Sequence, residues 1–355
     1  METNAGIELE KNNLHWKMKL NEVKNIMTMQ LNQVADSLCK FNYNYENSLL
    51  LTSSIERRIR LSLKRNDIYV RDIYYYKNDM GIDQMGLYVR SIKSKHVKTS
   101  LVANVISQIL GEKMELHVGS RESIGNSLCE ILLVKKKIYE IATSFKGMKK
   151  EGEILCGDNY SIIDNCCGQS VMILSDGMGT GRAAFEESRK LIEMVEEFLT
   201  VGFAKDIAIK LVNSAMYINS FESNMYATAD ICIFDNYTGE CEFLKYGASP
   251  TFIKREEEVI VIQADSLPIG VFNSAEYESK KIKLFKGDVI VMITDGLEEC
   301  MPNYLDSIEE ISNILKGIKS NNPRTISNEL ITTCLEDRVS KDDISVLVGI
   351  IWENN

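Results

Sequence analysis

Apolar residues recur every three or four positions in the first part of the chain, between residues 14 and 41. Their positions are Leu20, Val23, Met27, Leu31, Val34, Leu38 and Phe41. Because this spacing brings all of them to one face of a helix, the pattern predicts a long amphipathic helix near the N-terminus. A second helical pattern follows over about 47–65 and is strongly basic at its end.

The pattern then changes to that of extended strands, rich in Tyr, Ile and Val. The strand patterns lie at 67–79, 84–92, 130–137 and 138–145. A helical pattern over about 98–110 lies between them. Residues 1–148 are therefore predicted to form a small α/β domain that includes the long N-terminal helix.

The stretch KGMKKEGEIL, residues 146–155, is polar and punctuated by glycine, so we place a domain boundary there. Beyond it, strand patterns predominate, and helical patterns come in pairs, as at about 181–200 and 204–219. A last helical part, over about 306–337, precedes the terminal strand pattern DISVLVGIIW. Many strands with paired helices favour sheets covered by helices over a βαβ alternation. The second domain is predicted to span residues 150–355.

The formal net charge of −10 gives the chain no overall attraction for nucleic acid or anionic lipid. The basic stretches at 90–98 and 135–137 are interpreted as solvated faces, so no nucleic acid partner is expected. The nine cysteines form no C-x-x-C pair, which is typical of reduced thiols in a cytoplasmic protein. No apolar run approaches the roughly 18 residues of a membrane-spanning helix, and no signal peptide is recognisable.

Two stretches share one arrangement: an apolar strand, a hydroxyl residue, Asp and Gly. They are VMILSDG at 171–177 and VIVMITDG at 289–296. Two more acidic sites lie beside strand patterns, in GDNYS at 157–161 and at the start of DDISVLVGII at 342–351. Aspartates at the ends of four strand patterns raise the question of what they bind.

Three interpretations apply to an Asp-Gly at the end of a strand. A phosphate-binding loop is disfavoured, because GMGTGR lacks the G-K-[ST] of a P-loop and fits a dinucleotide fingerprint poorly. A plain turn explains one copy well. Carboxylates gathered at one sheet edge would repel each other, and a hard divalent cation such as Mg²⁺ or Mn²⁺ removes that penalty. Glycine after Asp would let the backbone carbonyl approach the ion.

The four motifs GDNYS, SDGMGTG, TDGLEE and DDISV, in this order, resemble the PPM-type metal-dependent serine/threonine phosphatases. KYGASPTFIKR at 245–255, followed by LPIG at 267–270, is similar to the bacterial branch that regulates sigma factors. The resemblance covers about residues 150–355 and extends more loosely to the upstream half. It implies an α+β fold: a four-layer α/β/β/α sandwich phosphatase domain, preceded by a smaller α/β regulatory domain with a long N-terminal helix.

The resemblance also implies a site with two ions, Mn²⁺ or Mg²⁺. Asp176 would bridge the two ions, and the Gly177 carbonyl and Asp158 would serve the second ion. Asp295 and Asp342 would hold the first ion, with Asp343 as a rival to Asp342. Asp158, Asp176 and Asp295 are thereby expected to be catalytic. Ions of this kind lower the pKa of a water between them and clamp phosphoryl oxygens, so no enzyme nucleophile is needed.

Two departures from eukaryotic members concern proton transfer and substrate binding. Those members often have Asp-Gly-His-Gly where this chain has Met178 in the place of histidine, and all three histidines lie in the first 148 residues. Protonation of the leaving group would then fall to a water on the metal. The phosphate-binding arginine of those members has no evident counterpart here.

The function implied by the resemblance is that of a protein-serine phosphatase. Its substrate would be a phosphorylated anti-anti-sigma factor, and the outcome activation of a sporulation sigma factor. A homodimer and contact with a cell-division protein are the other partners that it implies. A phosphatase-like scaffold without activity, and a phosphohydrolase acting on another phosphoprotein or a small phosphoester, are the alternatives. The chain is expected in the cytoplasm, as the soluble part or a relative of a membrane-anchored protein.

Overall fold

The structure is a computed structural model of the 355-residue chain. It describes residues 51–77, 82–93, 96–117, 119–165, 168–179, 181–201, 203–223, 226–272, 278–301, 306–335 and 341–354. The long helix predicted over 14–41 lies outside the described residues. The chain divides into two compact units between Lys136 and Lys137, and each is described by itself below.

The described part of the smaller unit, residues 51–136, contains two helices and one main sheet. The helices are α1 (Ser53–Arg65) and α2 (Thr99–Leu110), and the strands are β1 (Ile68–Lys77), β2 (Asp83–Ser91), β3 (Val97–Lys98), β4 (Met114–Leu116), β5 (Ser123–Ile124) and β6 (Cys129–Lys135). The main sheet is antiparallel, in the order β1-β2-β6-β4. Apolar residues of both helices pack on one face of it. The predicted α/β pattern is confirmed over these residues.

The larger unit contains the first of two five-stranded sheets, formed by strands from its N-terminal half and one later strand. Its members are β8 (Asp158–Asp164), β9 (Gln169–Asp176), β10 (Ala229–Asp235), β11 (Glu240–Tyr246) and β14 (Glu278–Lys283). The order is β14-β11-β10-β9-β8. Two helices cover one face, α3 (Gly181–Val201) and α4 (Lys205–Ser223). This pair of helices was predicted at about 181–200 and 204–219.

The second sheet contains β7 (Tyr139–Met148), β12 (Thr251–Arg255), β13 (Glu258–Ile262), β15 (Val289–Ile293) and β16 (Ile344–Glu353). Its order is β13-β12-β15-β16-β7. A short helix, α5 (Asp295–Glu299), follows β15, and the helices α6 (Ser307–Gly317) and α7 (Pro323–Leu335) pack on the outer face. The single helical part predicted over 306–337 is thus two helices. The Asn322 side chain accepts backbone N–H bonds from Arg324 and Thr325 at the start of α7, as helix-capping residues do.

The inner faces of the two sheets pack against each other. Alternation along β9 shows how, because Val171 and Ile173 face the helices, whereas Met172 and Leu174 face the opposite sheet. On the other side, Ile290 and Met292 of β15 belong to the same inter-sheet core. The larger unit is therefore a four-layer α/β/β/α sandwich, and the predicted fold class is confirmed.

The contacts in the structure place the domain boundary at a different position from the one that the sequence pattern predicts. Strand β7, which the boundary at 148–150 would assign to the first domain, pairs with β16 along its whole length, from Tyr139 opposite Glu353 to Met148 opposite Ile344. An edge of the second sheet is thus formed by residues 139–148. Of the polar stretch that marked the boundary, residues 146–148 end β7 and residues 149–155 lie in the loop between β7 and β8. Among the described helices, none is long and apolar enough to cross a membrane.

Candidate metal centre

Two of the predicted aspartates face each other across neighbouring strands. Asp158 is the first residue of β8 and Asp176 is the last residue of β9, and the antiparallel register pairs them directly. Like charges at opposed positions destabilise a sheet, so this pair needs a proton or a compensating cation. The register thereby places two oxygen-bearing side chains at one end of the first sheet.

Asp158 is buried, and among the described residues only one of its two carboxylate oxygens has a hydrogen-bond partner. The Thr294 hydroxyl donates to its Oδ2 atom at 2.9 Å. Its Oδ1 atom is buried without a hydrogen-bond partner among the residues that the structure describes. Since a buried polar atom without a partner costs free energy, this oxygen is suited to a ligand that the chain does not itself supply.

Thr294 links the two sheets at this point. Its Oγ1 atom accepts the backbone N–H of Ser345 in β16 at 2.9 Å and donates to Asp158 in β8. One hydroxyl therefore fixes the Asp158 carboxylate relative to the second sheet. In the matching stretch at 171–177, the hydroxyl of Ser175 is also buried and donates to the Thr228 carbonyl at 2.6 Å.

The second sheet contributes the remaining predicted ligands. Asp295 is the first residue of α5, directly after Thr294. Asp342 and Asp343 precede β16, and the two differ in their bonding. The Asp343 carboxylate accepts the backbone N–H groups of Lys150 at 2.7 Å and Gly157 at 2.6 Å, one on each oxygen. Because both of its oxygens hold the loop before β8, the geometry favours Asp342 over Asp343 as a ligand.

The carboxylates influence one another electrostatically. Burial, and then the negative charges of Asp158 and Asp295, raise the pKa of Asp176, and Asp342 adds to the effect. Burial also raises the pKa of Asp158. Solvent reaches Asp295, but partial desolvation and the charge of Asp342 raise its pKa as well. All these shifts are in the direction expected for crowded carboxylates without a cation, so the four predicted aspartates lie in one neighbourhood.

The donor set has the chemistry of a site for a hard divalent cation. Carboxylate and carbonyl oxygens are the ligands that Mg²⁺ and Mn²⁺ prefer, and the partnerless Oδ1 atom of Asp158 is one such donor. In the described ranges, no three acidic, cysteine or histidine side chains are arranged to hold an ion as they stand. The residues fit the ions, and the assignment of each ligand stays a prediction.

The glycines of the two Asp-Gly turns have a packing role. A β-carbon on Gly177 would lie 2.0 Å from the carbonyl oxygen of Ala184 in α3, and one on Gly296 would lie 2.0 Å from that of Asp343. Neither backbone atom could move aside cheaply. Both positions thus require glycine for close approach of neighbouring segments, a reason that differs from the predicted access of an ion to the carbonyl.

A cleft of about 450 Å³ opens beside the carboxylates. Asp176, Asp295 and Glu298 line it, and so do residues 247–250 of the KYGASP motif. Asp230 also lines the cleft and forms a buried ion pair with Lys245 of that motif, with an N–O distance of 2.8 Å. The motif therefore lies next to the site and helps to build its wall. This cleft is where a substrate could reach the carboxylates.

Asn213 on α4 is a further residue that the sequence interpretation missed. Its side chain accepts the N–H of Gly270 and donates to the carbonyl of Phe272, both at 3.0 Å, so it anchors the loop after LPIG to the helix. Ile269 of LPIG forms a β-bridge to Ala227, which bridges in turn to Gly177. A signal was present in the sequence, because Asn213 interrupts the apolar stripe of its helix.

Comparison with known proteins gives a consistent assignment. The family model described as stage II sporulation protein E (SpoIIE) matches residues 168–349. Stage II sporulation protein E of Bacillus subtilis (strain 168) is 27% identical over 341 residues, which are 95% of this chain and 41% of that protein. The protein of the same name from Priestia megaterium is 25% identical over 347 residues, 97% of this chain and 59% of that protein. This chain thus spans less than two thirds of each relative.

A solved structure extends the similarity to three dimensions. It contains the PP2C phosphatase domain and a fragment of the regulatory domain of the cell fate determinant SpoIIE from Bacillus subtilis. The match has a TM-score of 0.66 at 26% sequence identity and covers 96% of this chain and 98% of that one. The sandwich fold, the order of the aspartate motifs and the family match agree. This chain belongs to the stage II sporulation protein E family, and its larger unit has the fold of a PP2C phosphatase domain.

Proposed function

We propose that this chain is a metal-dependent phosphatase that removes phosphate from phosphoserine on a protein. The observation that carries the proposal is the pairing of Asp158 with Asp176, with one buried oxygen of Asp158 left without a partner among the described residues. Asp158, Asp176 and the Gly177 carbonyl would hold one ion, and Asp176, Asp295 and Asp342 the other. When bound, Mn²⁺ or Mg²⁺ would supply a water of lowered pKa and neutralise charge on the phosphoryl oxygens.

The residues of this chain would position the ligands and admit the substrate. Thr294 holds the Asp158 carboxylate in one orientation through its hydroxyl. Asp343 holds the loop before β8 through two backbone amides, so that Asp158 begins its strand at a fixed place. The cleft beside Asp176 and Asp295 would receive the phosphoseryl group. No described residue is assigned as a nucleophile or as a general acid.

The finer parts of the proposal concern substrate and control. Membership of the sporulation family supports a phosphorylated anti-anti-sigma factor as the substrate and activation of a sporulation sigma factor as the outcome. The solved relative includes a fragment of a regulatory domain. We propose the same role for the part of this chain that precedes the sandwich, with dimer formation and contact with a cell-division protein as its means.

The direct test is release of phosphate from a phosphoserine-carrying anti-anti-sigma factor by the purified chain. Release should require Mn²⁺ or Mg²⁺, stop in excess EDTA after dialysis, and resume when the ion is restored. Asp176→Asn is the matched inactive control, because it keeps the shape of the side chain and removes its charge. Full turnover in EDTA would rule out the metal mechanism. Tight binding of the phosphoprotein without release under any ion would favour the scaffold alternative.

A further inference from the structure

Exposed apolar side chains gather on three segments that meet beside the metal carboxylates. Ile154, in the loop between β7 and β8, is 87% exposed, the highest exposure of any large apolar side chain that the structure describes. Leu155 of the same loop and Met178 of the turn after Asp176 are also exposed, as are Leu267 and Phe272 on the loop after β13. We call these five side chains the apolar rim.

The loop that carries Ile154 lies close to the turn that carries Met178 and to the start of α3. A β-carbon on Gly157 would lie 3.6 Å from the carbonyl oxygen of Gly177, and a β-carbon on Gly181 would lie 3.1 Å from the Glu153 carboxylate. The loop is also anchored to the segment before β16, since its Lys150 and Gly157 amides both donate to the Asp343 carboxylate. Ile154 is therefore presented by an anchored loop.

The third segment joins the same turn from its other side. Ile269 donates to the Ala227 carbonyl at 3.0 Å, and Met178 donates to the neighbouring Tyr226 carbonyl at 3.0 Å. Asn213 fixes the backbone of Gly270 and Phe272 while the Phe272 ring stays exposed. All three segments are thus fastened by backbone contacts, and their apolar side chains are left uncovered by the described residues.

We propose that the apolar rim is the docking surface for the folded phosphoprotein substrate, so that the enzyme recognises a protein surface and not phosphoserine alone. This proposal rests on the proposed phosphatase function. The side chain of phosphoserine is short, and its phosphorus can reach Asp176 and Asp295 only if the surface of its protein comes down onto the surrounding segments. Those segments carry the rim. Apolar patches with polar surroundings mark protein interaction sites, and methionine adapts its shape to a partner.

A small phosphoester or a short flexible peptide would have little use for this surface. Its phosphate needs only the carboxylates and the cleft. A folded protein gains affinity from apolar anchors, a few of which supply most of the binding energy at an interface. Substitutions at the rim should therefore separate protein substrates from small ones, which is a difference that loss of catalysis or of folding would not produce.

The experiment measures three substrates with four proteins in saturating Mn²⁺. The substrates are a folded anti-anti-sigma factor carrying one phosphoserine, a short peptide with the same phosphoserine, and p-nitrophenyl phosphate. The proteins are the wild type, Ile154→Ser with Phe272→Ser, Leu267→Ser, and Trp352→Ser. Trp352 is a matched control because it is exposed on β16 and far from the carboxylates. It lies eight residues from Ile344, the residue next to Asp343, which is roughly 25 Å at the rise of a strand.

The double variant should lower kcat/KM for the folded phosphoprotein at least about 10-fold, mainly through KM, which corresponds to about 1.4 kcal/mol. Leu267→Ser should lower it about 3-fold. For the rim variants, turnover of the peptide and of p-nitrophenyl phosphate should stay within about 2-fold of the wild type, and the melting temperature should be unchanged. Trp352→Ser should match the wild type in the same way on all three substrates. Equal loss on all three substrates, no loss on the phosphoprotein, or the same loss in Trp352→Ser would overturn the docking surface. A wild type that releases phosphate from none of the substrates would instead refute the proposed function.

Discussion

The two Asp-Gly turns read almost alike in sequence and differ in structure. Asp176 closes the antiparallel strand β9 and faces Asp158 across the pair. Asp295 opens the short helix α5 and is reached by solvent. Each glycine is nevertheless pressed against a backbone carbonyl, Gly177 against Ala184 and Gly296 against Asp343. The shared Asp-Gly pattern therefore records a close approach of the next segment in both turns, and not a shared secondary structure.

The hydroxyl residue before each aspartate separates the turns further. Ser175 donates to the Thr228 carbonyl and so stays within the first sheet. Thr294 accepts from β16 and donates to Asp158, so it crosses from the second sheet to the first. The first turn is thus held by its own sheet, and the second turn sets the position of a carboxylate that belongs to the other sheet. The site is accordingly complete only when the two sheets are packed together.

The largest effect is expected for the bridging aspartate. Asp176→Asn removes the charge that both ions would share, and we expect kcat on the phosphoprotein to fall about 10³-fold or more, equivalent to about 4 kcal/mol. Asp295→Asn should lose nearly as much, since the second turn would hold one of the two ions under the proposed ligand set. Phosphate release at saturating Mn²⁺ is the measurement. Near-normal turnover of Asp176→Asn would remove this residue from the ligand set.

The pair before β16 should divide into two roles. Asp342→Asn should weaken Mn²⁺ binding at least about 10-fold and leave the melting temperature in EDTA unchanged. Asp343→Asn keeps only one acceptor oxygen for the two amides of Lys150 and Gly157, so we expect a loss of about 1–3 kcal/mol in the free energy of unfolding. Calorimetric titration with Mn²⁺ and urea unfolding measure the two quantities. The reverse pattern would make Asp343 the ligand.

Much of this architecture could be predicted from the sequence, for physical reasons that differ from element to element. The helices α3 and α4 and the buried strands β9 and β15 have patterns that depend only on their own residues. Strand β14 was missed, because ESKKIK at a sheet edge has the lysines that protect an exposed edge instead of an apolar alternation. Strand β7 was recognised as a strand, but its assignment to the second sheet depends on β16, almost 200 residues away.

The candidate site divides in the same way. The strand-end aspartates were visible in the sequence, and the resemblance to a phosphatase family ordered them into one site. The register that opposes Asp158 to Asp176 could not be obtained from spacing alone. Thr294 was not singled out as a positioning residue, because its partner Asp158 lies 136 positions away. Its hydroxyl would have been called a turn former without the packing of the two sheets.

Substitution of the two glycines tests the feature that both turns share, which is the close approach of a backbone carbonyl. Gly177→Ala and Gly296→Ala would each place a β-carbon 2.0 Å from a backbone carbonyl, and overpacking of this kind costs about 1–3 kcal/mol. Gly317, the last residue of α6, has no atom within 4 Å of the added β-carbon, so Gly317→Ala should be neutral or stabilising by up to about 1 kcal/mol. Urea unfolding compares the three variants. Equal stability of all three would contradict the packing role of both glycines.

The smallest expected effect concerns the hydroxyls that distinguish the turns. Thr294→Val keeps the shape of the side chain but leaves the Ser345 amide without its acceptor and the Asp158 Oδ2 atom without its donor. Asp158 should then be held less firmly, and we expect Mn²⁺ affinity to fall about 10-fold with a loss of about 1–2 kcal/mol in the free energy of unfolding.

Ser175→Ala is the matched control, because its hydroxyl bonds only within the first sheet. It should lose comparable stability and change Mn²⁺ affinity less than about 2-fold. The difference between the two variants, measured by Mn²⁺ titration at equal folded fraction, isolates the link between the sheets. Equal shifts in Mn²⁺ affinity would show that Thr294 acts on stability alone, and that the two turns hold their aspartates in the same way.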